Sequence, residues 1–261
     1  MWYEKTITSA RLYFFVMLAG FHLSIFFFSF IKYYSQKKDR AYLFYSLFNG
    51  FTFLLYLVDT NTVNLESSLW NNLKNNAEGS LVVNVVNLLF YVAFQIELLQ
   101  LQTNKPKIVQ CVKVYTGILL AGLLLTLIVN QVRILPFIGE YTFLLFQTGY
   151  TLGSGILVYL TRKLQGFYKY VFYASIFQLA GCCIFIAVTW WGVDVYLPSW
   201  FSVDFFLAVP VALEVMFFLM ALVYRDKQVE IEKIEAEHQL VEQLEKINCS
   251  RIVLSGAWKD R

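Results

Sequence analysis

Residues 214–237 read EVMFFLMALVYRDKQVEIEKIEAE, and this stretch decides the fold. Its first eleven residues are nearly all apolar, and the rest are mostly charged. No Gly or Pro lies between Val211 and Cys249 to end a helix. A helix suited to lipid therefore runs directly into a helix suited to water. We expect this helix to carry a signal out of the membrane.

The composition is that of a membrane protein. The 261 residues are 58% hydrophobic and 15% charged, whereas soluble domains are about 45–50% apolar and about 25% charged. The net charge of +3 is too small to favour a nucleic-acid partner. The four Cys do not make a disulfide framework. The early apolar run is too long for a cleavable signal peptide. The lipid bilayer is thus the first partner expected.

Seven apolar segments meet or approach the length of about 20 residues that a membrane span requires. Their predicted bounds are 11–32, 41–58, 81–102, 112–129, 136–160, 168–192 and 202–224. The second and fourth are short, so six spans with one re-entrant segment is the alternative. The sequence predicts an all-α membrane protein, in which a seven-transmembrane helix bundle at 11–224 follows a short extracytoplasmic N-terminus at 1–10.

Basic residues alternate between the connecting loops, and cytoplasmic loops normally hold the excess of Lys and Arg. The loops after the first, third and fifth spans are basic through Lys32, Lys37, Lys38 and Arg40, then Lys105, Lys107 and Lys113, then Arg162, Lys163 and Lys169. The other three loops together contain only two basic residues, Lys74 and Arg133. This predicts a multi-pass protein of the plasma (inner) membrane, with the N-terminus outside and the C-terminus cytoplasmic.

Three titratable residues lie well within the predicted spans: His22, Glu97 and Glu214. A charge at bilayer depth costs at least about 2.5–3.5 kcal/mol, so such groups usually face the bundle interior or a partner. His22 and Glu214 lie at similar depth and could pair if the first and last spans touch. The alternative is that each bonds locally and helps the helices to pack. Glu97, near the inner end of its span, could reach water.

A polar stripe follows one face of the third span. Asn84, Asn87, Tyr91 and Gln95 are spaced by three, four and four residues, which places them on one side of a helix. The sixth span has a similar stripe of Ser175, Gln178, Cys182 and Thr189. The stripes could line a polar cavity open to the outside, or they could be packing contacts. The candidate ligand or switch residues are His22, Asn84, Asn87, Tyr91, Gln95 and Glu214.

Patterns typical of catalysis are missing. The sequence contains no phosphate-binding loop, no HExxH and no paired CxxC. We therefore expect neither an enzyme nor a metal or cofactor site. Gly149 and Gly153 form a GxxxG pattern, a weak signal for a close helix contact.

Residues 225–248 are predicted to form a cytoplasmic signalling or coiled-coil helix, with 249–261 as a separate tail. Good helix formers dominate, and Glu242 and Lys246 form a favourable i,i+4 pair. The predicted apolar seam consists of Ile231, Ile234, Val241 and Leu244. Its heptads are irregular, so a coiled coil is marginal unless the spans also dimerise. We predict a homodimer through the last helix, and a single solvated helix is the alternative.

Three stretches resemble one bacterial family. They are GFHLSIFFFSFIKYYSQKKDRAYLFYSLFNGFTFLLYL at 20–57, FQIELLQL at 94–101 and ALEVMFFLMALVYRDKQVEIEK at 212–233. They look like the first two spans, the third-span end and the last span of the seven-transmembrane receptors with diverse intracellular signalling modules (7TMR-DISM). The resemblance covers about residues 10–248. It implies a receptor whose last helix controls a cytoplasmic enzyme such as a histidine kinase or cyclase.

The sequence departs from that family at both ends. Members usually carry a carbohydrate-binding-like sensor domain before the spans and an enzyme module after the signalling helix. Here residues 1–10 precede the spans, and the chain ends at INCSRIVLSGAWKDR. The chain is expected to be a fragment, a frameshifted product or a receptor that signals through a separate protein. A transporter or channel subunit, and a membrane adaptor for a separate signalling enzyme, are the alternative functions.

Overall fold

The computed structural model of the protein describes residues 2–36, 39–60, 77–132, 137–190 and 203–259. Within these ranges all regular structure is helical, and each predicted span overlaps one long helix. The helices are α1 Trp2–Ser35, α2 Arg40–Thr60, α3 Ala77–Leu98, α4 Leu101–Asn104, α5 Pro106–Val132, α6 Phe137–Thr161, α7 Tyr168–Trp190 and α8 Val203–Lys259.

Four helical segments among the described residues are long and apolar enough to cross a membrane. They are Tyr13–Ser35, Pro106–Leu125, Tyr168–Ala187 and Ala208–Asn248. A shorter apolar helical segment, Val82–Leu98, lies in α3. Large apolar side chains such as Met17, Ile31 and Ile118 are exposed on the outer faces. Such surfaces are stable against lipid and costly in water.

The third helix ends earlier than the sequence predicts. Its predicted span runs to residue 102, but α3 ends at Leu98, and Gln100 has a left-handed backbone with φ 49°. The short α4 follows, and Pro106 then begins α5. Proline is tolerated in the first turn of a helix because the N–H it lacks would have no partner there. One apolar run thus contains a helix end that hydropathy does not show.

Most long helices pack against the helix next to them in the sequence. Helix α8 also packs against α2 and α3. The ring of Phe94 on α3 lies 4.7 Å from Tyr45 on α2 and 5.2 Å from Phe218 on α8, between centroids. All three side chains are fully buried. The Tyr45 hydroxyl also donates to the Val215 carbonyl oxygen. This part of the core therefore joins α2, α3 and α8 directly.

Helix α8 is continuous from Val203 to Lys259, with Pro210 inside it. Its side chains at Val215, Phe218 and Leu222 are buried, whereas every side chain from 227 to 248 is exposed. The change from a buried helix to an exposed one occurs without a break, as the sequence predicts. The helix also continues through 249–259, the described part of the predicted tail.

Candidate functional site

A buried hydrogen bond joins α3 to α8. The Tyr91 hydroxyl donates to Glu214 Oε1 at 2.5 Å, and both side chains are buried. The Tyr91 ring stacks on Tyr150 of α6, with a centroid distance of 5.0 Å. The other carboxyl oxygen, Glu214 Oε2, is buried with no hydrogen-bond partner among the described residues. Glu214 is thus held through one oxygen, and the second is available to a new partner.

His22 bonds to α2 and not to Glu214. Its Nδ1 lies 2.9 Å from Asn49 Oδ1, and the Asn49 amide donates in turn to the Tyr45 carbonyl oxygen at 2.8 Å. His22 Nε2 is buried without a partner. The suggested His22–Glu214 pair is therefore wrong. Helices α1 and α8 do touch, at Phe15, Leu18 and Ala208, but the side chain that bonds to His22 is Asn49 of α2.

The polar stripe of α3 divides into members with different surroundings. Asn87 Nδ2 donates to Thr52 Oγ1 of α2 at 3.1 Å, and Tyr91 bonds to α8. Asn84 is half-buried. Gln95 is buried, and neither of its amide atoms has a hydrogen-bond partner. The stripe thus forms packing bonds at Asn87 and Tyr91, and leaves an unsatisfied amide one turn below.

The stripe of α7 is only partly described. The Ser175 hydroxyl donates to the Val171 carbonyl of its own helix at 2.8 Å. Cys182 is buried, and Gln178 is buried with Oε1 unpartnered. The side chain of Thr189 lies outside the described residues. Within the described part of α7, Gln178 therefore resembles Gln95 in having an amide oxygen that is buried without a partner.

A groove of about 1290 Å³ opens at the end of the bundle from which α8 emerges. Its walls are the last turn of α1, the end of α3, the turn between α6 and α7, and the first exposed turns of α8. Lys32 and Glu97 line it, and both side chains are half-buried. Glu97 therefore lies where water reaches it, as its position in the span predicts.

Two consecutive residues of α8 are bonded to the α1–α2 connection beside this groove. Arg225 forms an ion pair with Asp39, and Asp226 Oδ2 accepts a hydrogen bond from Gln36 Nε2 at 2.5 Å and another from the Tyr42 hydroxyl. We call these five residues the polar clasp. Asp39 also accepts the Ala41 N–H through Oδ1 at 2.9 Å, and so caps α2.

Sequence reasoning missed the polar clasp. In the α1–α2 loop, only the Lys and Arg residues entered the sequence prediction, as indicators of membrane orientation. A signal was present, because Arg225 and Asp226 directly follow an apolar run and Asp39 lies two residues before another. Oppositely charged residues at the same membrane depth are candidates for a contact between spans. Membrane depth alone does not show which spans are neighbours.

The comparison with protein families assigns the chain. Residues 11–225 match the family described as 7TM diverse intracellular signalling. The chain belongs to the 7TMR-DISM family. No curated protein and no solved structure gives a significant match. Membership in 7TMR-DISM confirms the resemblance in the sequence and implies a membrane receptor or sensor role. The match ends at Arg225, where α8 leaves the bundle and enters the polar clasp.

The predicted seam of α8 lies beyond the 7TMR-DISM match. Its four apolar side chains, like the other described side chains of this stretch, are exposed in the single chain: Ile231, Ile234, Val241 and Leu244. Ion pairs within the helix, such as Glu242–Lys246 at 2.8 Å, occupy the same stretch. Four apolar side chains of the stretch are thus uncovered in the single chain.

Proposed function

We propose that this chain is a seven-transmembrane sensor that passes a change in its bundle through α8 to a cytoplasmic enzyme. The observation that carries this proposal is the continuity of α8. The same helix bears Glu214, bonded inside the bundle, and Arg225, bonded at the bundle's end, before its exposed part begins. A displacement at Glu214 therefore reaches the exposed part through roughly three turns of unbroken helix.

Seven crossings, with the N-terminus outside and the C-terminus cytoplasmic, form part of the proposal. Two observations support them. The described residues contain seven long helices, one for each apolar segment. The basic loops alternate along the sequence, which is the pattern of cytoplasmic and external sides. In this orientation the groove and the polar clasp face the cytoplasm, and the exposed part of α8 extends into it.

The proposed input acts near the Tyr91–Glu214 bond. A ligand, or a change in the bilayer, shifts the equilibrium between two packings only by its differential affinity for them. Glu214 Oε2 is buried without a partner, so a polar group that reaches it gains a bond that the resting structure does not supply. Such a group would draw Glu214 away from Tyr91 and would rotate or tilt α8 relative to α3.

The proposed output needs a second copy of the chain. The exposed Ile231, Ile234, Val241 and Leu244 would form a seam between two α8 helices. Burying such side chains is favourable by about 25 cal/mol per Å². The paired helices would then adopt two different packings. A kinase or cyclase, on the same or a separate chain, would respond to the difference. This is how a change in helix orientation becomes a change in enzyme activity.

Disulfide cross-linking in native membranes tests the dimeric signalling helix. Cys111, Cys182, Cys183 and Cys249 are replaced, and single cysteines are placed at each position from 227 to 248. Strong cross-links that recur every three to four residues, including the seam positions, are expected. Uniformly absent cross-links would contradict the proposal and would favour a monomeric transporter, tested by solute flux into proteoliposomes, or an adaptor that docks on another protein.

A further inference from the structure

We propose that the polar clasp is a latch, which holds the base of the signalling helix at rest and opens when the bundle changes. The inference rests on the proposed function of α8 and adds the point at which its movement is controlled. The clasp joins the α1–α2 connection to the first residues of α8 outside the bundle core. It therefore lies between the proposed input at Glu214 and the proposed output seam.

The geometry of Asp39 makes the clasp sensitive to helix position. One carboxyl oxygen caps α2 at the Ala41 N–H, and the other binds Arg225. The carboxylate is thus fixed to the start of α2, and its ion pair with Arg225 forms only when α8 has one orientation relative to α2. Charge-assisted bonds of this kind depend strongly on geometry. Rotation of α8 would separate the two charges.

Asp226 provides a second contact, and it also lies 3.7 Å from the Arg225 guanidinium through Oδ1. It accepts hydrogen bonds from Gln36, just past the end of α1, and from Tyr42, in the first turn of α2. Two adjacent residues of α8 are therefore bonded to two neighbouring helices. Both contacts need not break together, so the latch has a half-open state when only one is lost.

Beyond the clasp, the polar contacts of α8 lie within the helix. Gln228 donates to Glu232, Lys233 pairs with Glu237, and Lys246 pairs with Glu242. The described side chains of this stretch are exposed. Releasing the clasp therefore frees the exposed helix to turn against its partner copy. An intact clasp holds its direction.

The clasp is accessible enough to respond to salt. The Asp39 side chain is 33% exposed and the Arg225 side chain 14% exposed. Ions screen a partly exposed pair, and the screening length falls from about 10 Å at 0.1 M to about 3 Å at 1 M salt. High salt should therefore open the clasp in the unmodified protein and have less effect once the ion pair has been removed.

Double electron–electron resonance on the full chain in nanodiscs tests the latch. In a protein without its native cysteines, spin labels at Ser35 and Gln228 report the distance across the groove. Both positions are exposed, and neither belongs to the clasp. We expect one narrow distance in the parent protein. Asp39→Asn and Arg225→Gln should each raise the ratio of long to short distances by roughly threefold to tenfold.

The variants are chosen so that misfolding does not imitate release. Asn caps a helix about as well as Asp, so Asp39→Asn keeps the start of α2. The double variant Asp39→Asn/Arg225→Gln should equal Arg225→Gln alone, because Arg225→Gln already removes the pair with Asp39 together with the pair with Asp226. Adding Tyr42→Phe should raise the population of the long distance further. Lys233→Gln removes an exposed pair within α8 and is the control that should change nothing.

An unchanged distance distribution in Asp39→Asn and Arg225→Gln would overturn the latch, and so would additive effects in the double variant. The measurement uses neither a ligand nor an output enzyme. If the latch fails while the cross-links along 227–248 still respond to Glu214, the proposed function stands without it. If the distances behave as expected but no cross-links form, the latch stands and the dimeric signalling helix fails.

Discussion

The Tyr91–Glu214 bond is the contact whose removal tests the site with the smallest change. Tyr91→Phe deletes one hydroxyl and keeps the ring that stacks on Tyr150 at 5.0 Å. Glu214 would then have no partner at either oxygen, since Oε2 already has none and the hydroxyl is the donor to Oε1. The variant isolates the bond from the packing around it.

The expected loss of stability follows from the burial of this bond. Leaving a buried polar group unsatisfied costs about 1–3 kcal/mol, while bonds between membrane helices average about 0.6 and reach about 1.7 kcal/mol in double-mutant cycles. Both partners here are buried, so we expect about 1–1.7 kcal/mol, near the upper end of the membrane values. Equilibrium unfolding of the reconstituted protein measures it.

Two comparisons decide whether the reasoning holds. Tyr159→Phe is the matched control, because that ring is 63% exposed and surface changes usually stay within about 0.5 kcal/mol. Glu214→Gln combined with Tyr91→Phe should lose less than the sum of the single changes. Equal stability of Tyr91→Phe and Tyr159→Phe, or full additivity with Glu214→Gln, would refute the bond as a stabilising contact.

Three further predictions concern packing and the seam. Gly149→Ala would place a Cβ 1.8 Å from the Tyr115 hydroxyl oxygen and should cost about 1–3 kcal/mol in unfolding experiments; Gly153→Ala, with no atom within 4 Å, is its control and should cost less than about 0.5 kcal/mol. Phe218→Ala removes a fully buried ring by which α8 packs on α3. It should cost about 3–5 kcal/mol by the same assay. Ile234→Asp should abolish cross-links at neighbouring positions of α8 without lowering the membrane level, and unchanged cross-links would exclude Ile234 from the seam.

The sequence predicts the helices of this protein well because a span needs a long apolar run. Each of the seven apolar segments overlaps a helix, and the continuous last helix is visible in the absence of Gly and Pro between Val211 and Cys249. The ends are less well predicted. Hydropathy has no signal for the left-handed Gln100 that ends the helix before α4, nor for the extension of α8 to Lys259.

The site is predicted in part, because periodicity gives depth and face but not the neighbour. Asn87, Tyr91 and Gln95 of the α3 stripe are buried, as is Glu214, and Tyr91 and Glu214 meet. His22 lies at the expected depth, yet its partner Asn49 depends on which helix stands beside α1. The polar clasp was missed for the same reason, since its residues lie about 190 positions apart in the chain.

The GxxxG pattern shows the same limit. At Gly149 of α6 the Tyr115 side chain of α5 occupies the space that a Cβ would take. Gly153 has open space around it and makes no such contact. One of the two glycines of the pattern thus lies against a side chain of the neighbouring helix, and the other does not. Only the arrangement of α5 and α6 distinguishes them.

The most direct test of the central claim compares the cross-linking pattern along 227–248 in the parent protein and in Glu214→Gln. The account predicts that the periodic maxima move to different positions, because a change inside the bundle alters the orientation of the exposed helix. Glu97→Gln, at a half-buried glutamate of α3, should leave the maxima in place. Identical maxima in Glu214→Gln and the parent protein, at equal membrane levels, would show that α8 does not transmit from Glu214.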